Sequence, residues 1–448
     1  MKNQKVSQKQ KASYAIGSGA GNVIITLMST FLTAYYTDTV GMAIAAIGTM
    51  MLYVRFLDGI SDIIMGAIIE KTNTKWGKAR PWMLYSVPLI IASVVLTLNV
   101  PERLGDSGKL VYIYLTYILL NCITYTAFQT AHSALLARIT LDPNERQSMT
   151  SINQIANTVV TLVLNAVTAG MVAAVGWKYV AWFYAILTAA GSLICFFGTQ
   201  EIVDSAENDG THPAEKVPFK VSLSAAMKNK YFYMLIIAAM LVVGATAANG
   251  TTLFYFCNNV LGDVKYLTPV TFALSVSAIG INFFVPAIVR KIGSHKALIA
   301  SAIVYTLGFV IIGIGGSNLI LIMIGQVIRG AGQGAFYANI FATIAQVVDY
   351  GDWKFNVRTE GLISISYGFG AKLGMGFGAA IASWILASGG YDGLAAVQSA
   401  SALSAIKFSF GWLNAIIGVL MIILSIFLNV GKYSDEMQEA LSARMISE

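Results

Sequence analysis

The stretch Met42-Ala-Ile-Ala-Ala-Ile-Gly-Thr-Met-Met-Leu-Tyr-Val-Arg55-Phe-Leu-Asp58-Gly-Ile-Ser61-Asp62-Ile-Ile-Met-Gly-Ala-Ile-Ile69 is an apolar run broken by an arginine and two aspartates. About 20 apolar residues are enough to cross the hydrocarbon of a bilayer, and this run exceeds that. Each charged residue at the bilayer centre costs roughly 2.5 to 3.5 kcal/mol on insertion scales, so three in one run need partners or a wet cavity. Their spacing of i, i+3 and i+7 puts Arg55, Asp58 and Asp62 on one face of a helix. One guanidinium set against two carboxylates leaves about one negative charge to be matched by a proton or a cation.

The rest of the chain is equally apolar. Its 448 residues are 56% hydrophobic and only 11% charged, with a mean hydropathy of +0.68, whereas soluble domains carry about a quarter charged residues. A soluble globule and a disordered chain are both excluded. Long unbroken apolar runs, rather than alternating ten-residue segments, favour helices over a barrel. Such runs lie near 14–36, 42–69, 82–100, 110–136, 150–175, 178–198, 231–259, 267–289, 297–315, 318–346, 361–388 and 408–430. The fold expected is all-α and polytopic, with twelve transmembrane helices.

The polar stretch 199–230, with His212, Pro213 and Pro218, follows the sixth run and brackets the chain midpoint. It reads as a cytoplasmic linker between an N-terminal six-helix bundle at 1–198 and a C-terminal six-helix bundle with a cytoplasmic tail at 231–448. Transporters built from two parallel six-helix halves have this layout and bind substrate near the midplane. The formal charge of +7 comes from 29 Lys and Arg against 22 Asp and Glu. Arg103, Lys109, Lys178, Lys265 and Lys407 fall in odd-numbered connections, and Arg55, Arg329 and Lys372 inside spans; every other basic residue falls in the termini or the even-numbered connections. The positive-inside rule then makes both termini cytoplasmic. Basic charge spread over short loops on one membrane face also removes the nucleic-acid reading of a pI near 9.1. The N-terminus lacks a short apolar region followed by a cleavage site, so the first helix is expected to remain as a span.

The spacing of the two carboxylates and Ser61, with Thr126 a further candidate, offers the oxygen ligands that suit a hard ion such as Na+; the same pair could instead share a proton. The alternative is a purely structural triad with Arg55. Lys372, mid-span in Tyr367-Gly-Phe-Gly-Ala-Lys372, is too deep to snorkel easily and is expected in a central cavity. Asn22, Tyr125, Gln129, His132, Gln154 and Asn157 supply donors and acceptors for a polyhydroxyl solute. A lone His132 is more often a packing residue than a proton carrier, and the roles of His132 and Arg329 stay open. Glycines cluster at Gly17, Gly19 and Gly21, at Gly330, Gly332 and Gly334, and at Gly368, Gly370, Gly374, Gly376 and Gly378. They allow close helix packing and, alternatively, sliding. Cys122, Cys195 and Cys257 lack metal or disulfide spacing. No HExxH, GxSxG, Walker or dinucleotide motif is present, so no cofactor, no structural metal and no enzymatic activity are expected.

The chain resembles the glycoside-pentoside-hexuronide cation symporters of the major facilitator superfamily. The likeness covers nearly the whole chain and rests on ordered motifs: Tyr35-Tyr36-Thr37-Asp38, Arg55 through Asp62 with Ile64-Met65-Gly66, and Trp76-Gly77-Lys78-Ala-Arg80-Pro81-Trp82. Further on come Asp142-Pro-Asn-Glu145-Arg146, Asp349-Tyr350-Gly-Asp352-Trp353-Lys354, Arg358-Thr-Glu360-Gly361, Lys372 and Gly389-Gly390-Tyr391. The resemblance implies a cation site at Asp58, Asp62, Ser61 and Thr126, with Lys372 in the cavity; the spacing on span two makes Arg55 the charge partner in that site. The positions at which the family's galactoside carrier has acidic or basic sugar ligands hold Asn22, Gln129 and Gln154 here. That departure argues against galactoside specificity and leaves pentosides, hexuronides and oligosaccharides.

The function expected is cation-coupled symport, with Na+ or H+, of a sugar glycoside into the cell by alternating access. Substrate contacts would come from Asn22, Tyr125, Gln129, Gln154 and Lys372. Ion pairs among Lys78, Arg80, Glu145, Arg146, Asp349, Lys354, Arg358 and Glu360 would form a cytoplasmic gate. Partners would be the sugar, the coupling cation and the lipid of a cytoplasmic (inner) membrane, with the monomer as functional unit. A proton-coupled drug exporter and a non-transporting sugar sensor are the alternatives.

Overall fold

The computed structural model describes residues 6–140, 142–202, 219–355, 357, 359–433 and 436–437, and of their side chains all but those of 143, 144, 219–223, 360, 361 and 364. Among the described residues the regular structure is helical apart from one isolated bridge, Thr74 to Gly77. Eleven helices among the described residues are long and apolar enough to cross a membrane: Gln8–Thr39, Arg80–Thr97, Asp106–Ile139, Glu145–Val175, Trp177–Gly198, Lys230–Val260, Val264–Asn282, Ser294–Gly315, Leu319–Phe355, Ile365–Ser388 and Ala400–Tyr433. A twelfth, Ile44–Lys71, has 28 residues and holds Arg55, Asp58 and Asp62 in its middle. In chain order these are spans one to twelve, with Ile44–Lys71 as span two.

Spans eight and ten depart from their apolar runs at their C-terminal ends. The eighth was expected to continue to about residue 289, but it stops at Asn282 and a short helix, Val285–Ile292, follows. Pro286 explains the break, because its ring clashes with the carbonyl of Asn282 and it has no N–H to give that carbonyl. The tenth runs for 37 residues, Leu319–Phe355, which at 1.5 Å per residue is far more than a bilayer needs. Asp349 and Lys354 therefore stand on the last turns of a helix rather than in a loop. Glu145 likewise lies in the first turn of a helix that begins at Pro143.

The chain divides into two compact units, Met1–Pro213 with Asp392–Ala396, and Ala214–Tyr391 with Val397–Glu448. In the first, span one is embraced by its neighbours: a Cβ on Gly17 would meet Cys195 Sγ at 2.7 Å, and one on Gly21 would meet the Phe128 ring at 2.9 Å. Tyr14 stacks on His132 with ring centroids 4.1 Å apart. Their polar atoms cross over, Tyr14 hydroxyl donating to His132 O (3.1 Å) and His132 Nε2 lying 2.9 Å from Tyr14 O. A carbonyl only accepts, so Nε2 carries the proton, and His132 acts as a clasp between spans one and four.

The second unit is closed by glycine contacts. Gly370, Gly374 and Gly378 on span eleven face Ile236, Met240 and Gly244 on span seven, backbone against backbone. Gly330 and Gly334 face Leu274 and Ala278 on span eight, and Gly332 faces Tyr305 on span nine. These glycines pack inside one unit. Gly368 has nothing within 4 Å of its would-be Cβ.

Candidate functional site

Span two turns one face inward and the other outward. Asp58 is 4% exposed, while Ile60, Ile63 and Ile64 are 57%, 76% and 54% exposed, which is the pattern of a helix with Asp58 turned inward and its isoleucines outward. Arg55 NH1 lies 3.3 Å from Asp58 Oδ2 and also donates to Asn121 Oδ1 at 3.1 Å. Thr126 Oγ1 donates to Asp58 Oδ1 at 3.2 Å, and Ser61 Oγ lies 3.2 Å from Thr126 Oγ1 and donates to Asp58 O at 2.9 Å. Tyr117 and Tyr125 stand within electrostatic reach of Arg55, and Tyr125 also of Asp58 and Asp62. Asp62 is half-buried one turn beyond Asp58.

Span four meets this cluster through a π-helical stretch, Leu119–Tyr125. A π turn widens the helix by one residue and is frequent at functional sites. Here it brings Asn121 and Thr126 to the same side, so that Thr126 Oγ1 also reaches Asn121 O at 3.2 Å. The structure thus gathers Arg55, Asp58, Ser61 and Thr126 and adds Asn121, which sequence reasoning missed. Its signal was available: an asparagine in an apolar run, five residues before Thr126.

A second polar group lies on spans one, four and five. Asn22 Nδ2 donates to Asn157 O and to Thr161 Oγ1, each at 2.7 Å, and Ser18 Oγ donates to Asn157 Oδ1 at 3.1 Å. Gln129 sits over Gly21, its Oε1 3.0 Å from where a Cβ would be. Gln154 is exposed one turn before Asn157. Lys372 lies half-buried on span eleven in the other unit. Arg329 is 2% exposed and bonds to neutral groups, Asn249 Oδ1 at 2.8 Å and Gln326 Oε1 at 3.0 Å.

The charged residues expected to form a gate have the following partners. Glu145 pairs with Lys11 at 2.6 Å, and Arg146 donates to the carbonyls of Thr140 (2.8 Å) and Ala137 (3.2 Å), closing the end of span four. Lys354 lies over the Trp353 ring at 5.5 Å, and Asp349 is half-buried. Arg358 and the Glu360 side chain lie outside the described residues. The backbone N–H groups of Lys78, Ala79 and Arg80 donate to the Glu201 carboxylate at 3.0, 2.9 and 2.6 Å, and Arg80 Nε donates to Phe196 O at 2.7 Å. Glu201 therefore caps the first turn of span three, where free N–H groups and the helix dipole favour an anion. The carboxylate sits tight against Gly77, whose φ of +103° is left-handed and closed to side chains without strain. Glu201→Gln should cost about 1.5 kcal/mol; thermal unfolding of the purified protein in detergent would then show a lowered midpoint, and an unchanged one would make the cap incidental.

The family model described as MFS/sugar transport protein matches residues 13–432. The isoprimeverose transporter of Lactiplantibacillus pentosus is 29% identical over 459 residues, covering 99% of this chain and 93% of its own. The glucuronide carrier protein homolog of Escherichia coli (strain K12) is 29% identical over 404 residues, 87% of this chain and 85% of its own. Among solved structures, the nucleoside transporter NupG superposes with a TM-score of 0.68 at 13% identity, covering 93% of this chain and 98% of that one, a likeness of fold alone. With the helical architecture, the charged cluster on span two and a family match over nearly its whole length, this chain belongs to the MFS/sugar transport protein family, the major facilitator group of glycoside-type symporters.

Proposed function

We propose that this protein is a secondary transporter that couples inward movement of Na+ or H+ to uptake of a sugar glycoside, a pentoside, hexuronide or oligosaccharide, by alternating access. The observation that carries this reading is the Arg55–Asp58–Thr126–Ser61 cluster with Asp62 one turn away, inside a membrane helix. Arg55, Asp58 and Asp62 together carry one formal negative charge, and a small cation beside Asp58 and Asp62 would cancel it. The hydroxyls of Ser61 and Thr126 supply further hard oxygen ligands. A half-loaded cavity leaves an unmatched charge exposed to closing apolar walls as the protein changes state, a step the low-dielectric interior penalises. Movement is thereby restricted to the fully loaded and the empty protein.

The sugar is held by Asn22, Tyr125, Gln129, Gln154 and Lys372, side chains that donate and accept hydrogen bonds to hydroxyl groups. The names carried by the similar proteins, an isoprimeverose transporter and a glucuronide carrier homolog, support a glycoside as substrate. The protein acts in the inner membrane with both termini cytoplasmic, as a monomer, without catalysis or a cofactor. The charged residues at the cytoplasmic ends, Lys78, Arg80, Glu145, Arg146, Asp349, Lys354, Arg358 and Glu360, form its inner gate, and 199–230 links the halves 1–198 and 231–448.

Sealed vesicles holding the protein, given an imposed Na+ or H+ gradient and offered radiolabelled isoprimeverose, methyl β-D-xyloside, methyl β-D-glucuronide and raffinose, test the reading directly. Accumulation above the equilibrium level, driven by one of the two gradients, is expected. Efflux against the gradient, or binding without accumulation, would replace the symporter by an exporter or a sensor. Lys372→Ala should weaken coupling or substrate binding; unchanged uptake kinetics would remove Lys372 from the site.

A further inference from the structure

The motifs Tyr35-Tyr36-Thr37-Asp38 and Gly389-Gly390-Tyr391 take no part in the cation cluster, yet the fold uses both. Span one ends in a π-helical turn, Tyr35–Thr39, whose Tyr35, Tyr36 and Thr37 are buried. Hydrogen bonds fasten that turn within the first unit: Val100 N–H donates to the Tyr35 hydroxyl (3.1 Å), Met42 N–H to Tyr36 O (2.9 Å) and Trp177 Nε1 to Thr39 Oγ1 (3.0 Å). The Trp177 ring also lies 5.1 Å from that of Tyr35. A wide turn held this way offers a fixed seat.

What rests on the seat comes from far along the chain. Between Ser388, where span eleven ends, and Ala400, where span twelve begins, the chain leaves the second unit after Tyr391, runs through Asp392–Ala396 as part of the first, and returns at Val397. Asp392 shapes this piece, its Oδ1 accepting from Leu394 N–H at 3.0 Å and its carbonyl from Ala395 N–H at 3.2 Å, an Asx-type turn. Gly393 lies so close to span one that a Cβ there would meet Thr37 O at 2.5 Å and Asp38 Oδ1 at 2.7 Å. Leu394 Cδ1 stands 3.1 Å from where a Cβ on Gly41 would be. The fit is one of shape with little burial, since Leu394 and Val397 are 67% and 85% exposed. Tyr391, by contrast, keeps its ring 4.8 Å from that of the fully buried Tyr255 on span seven.

Alternating access moves one six-helix half against the other. A piece whose ends belong to one half and whose middle is seated on the other cannot keep both attachments through that motion. The weaker attachment gives, and here it is the seat, because contacts that bury little apolar area open first. The stems on either side, Gly389–Tyr391 and Val397–Ser399, can each stretch about 10 Å when extended. Gly390, with φ +78° and nothing within 4 Å of its would-be Cβ, leaves the first stem free to turn. On the alternating-access reading and topology above, on which this inference rests, we propose that Asp392–Ala396 is a strap on the membrane face opposite the termini. It clasps the end of span one, keeps that face shut, and lets go once in each transport cycle.

Leu394→Cys puts a sulfur where Leu394 Cγ now stands, 3.7 Å from a Cβ at position 41. Combined with Gly41→Cys it should close to a disulfide on oxidation, while the buried Cys122, Cys195 and Cys257 stay out of reach. Uptake of the four radiolabelled sugars by right-side-out vesicles should then fall to the level of protein-free vesicles and recover with dithiothreitol. Oxidised and reduced forms are one protein, so any strain at Gly41 cancels in the comparison. Gly393→Val, which drives the strap off Thr37 O, should act the other way. In that background Gly41→Cys should be alkylated severalfold faster by a membrane-impermeant maleimide from outside. Half-maximal uptake should also need severalfold less external sugar, as the outward-open state gains population. A pair that does not crosslink, an oxidised pair that transports like the reduced one, alkylation unmoved by Gly393→Val, or alkylation from the cytoplasmic side alone overturns the strap. A wild-type protein that accumulates none of the sugars sinks the transport reading and the strap together; wild-type accumulation matched by the oxidised pair sinks the strap alone.

Discussion

Asp58→Asn is expected to abolish gradient-driven sugar accumulation while the protein still reaches the membrane. Asparagine keeps an acceptor for Thr126 Oγ1, now 3.2 Å from Asp58 Oδ1, but takes away the charge that faces both Arg55 and the coupling ion. Leaving the partner of a buried charge uncompensated costs about 3 to 5 kcal/mol, so a fall in cation affinity of a hundredfold or more is the expected scale. Asp58→Asn should also lower thermal stability, because Arg55 loses the carboxylate it faces and keeps the neutral partners Asn121 and Tyr117 on span four. Asp62→Asn should lose accumulation with a smaller effect on stability, since Asp58 still faces Arg55. Downhill equilibration of sugar, measured in the same vesicles, separates lost coupling from lost transport. Wild-type accumulation by both variants would leave the cation site without support.

Gly378→Leu should prevent the second unit from assembling. The would-be Cβ of Gly378 runs into the carbonyl group of Gly244, and a Cβ on Gly244 would sit 3.2 Å from Gly374 O. Both obstacles are backbone, which cannot rotate away as a side chain can. Overpacking in a well-filled interior costs about 1 to 3 kcal/mol and more where nothing yields, and spans seven and eleven owe their close approach to these small residues. Little monodisperse protein is expected after detergent extraction, whereas Gly368→Leu, where nothing lies within 4 Å of the added carbon, should behave as wild type. Equal yields for the two variants would show that the glycine contact does not hold the unit together.

Much of the fold is legible in the sequence because insertion into hydrocarbon is a sum over one segment's own residues. The apolar runs locate the spans, and the alternation of acids with isoleucines on Ile44–Lys71 already assigns its inner and outer faces. The end of span eight was legible too, in Pro286, whose missing N–H is a property of the residue itself. The cation cluster was half visible for the same reason: Arg55, Asp58, Ser61 and Asp62 belong to two turns of one helix.

What the sequence by itself determined was therefore a polytopic helical protein with charge set deliberately into its second span. The tertiary structure alone decided which distant groups meet that charge and which close the helix ends. Asn121 on Arg55, Glu201 on the N–H groups of Lys78 to Arg80, and Lys11 rather than Arg146 on Glu145 join residues tens to more than a hundred positions apart. The neutral surroundings of Arg329 and the facing of Gly378 on Gly244 are of the same kind. Such pairings depend on how far each helix is rotated and how near its neighbour it lies, and no single segment's hydropathy carries that information.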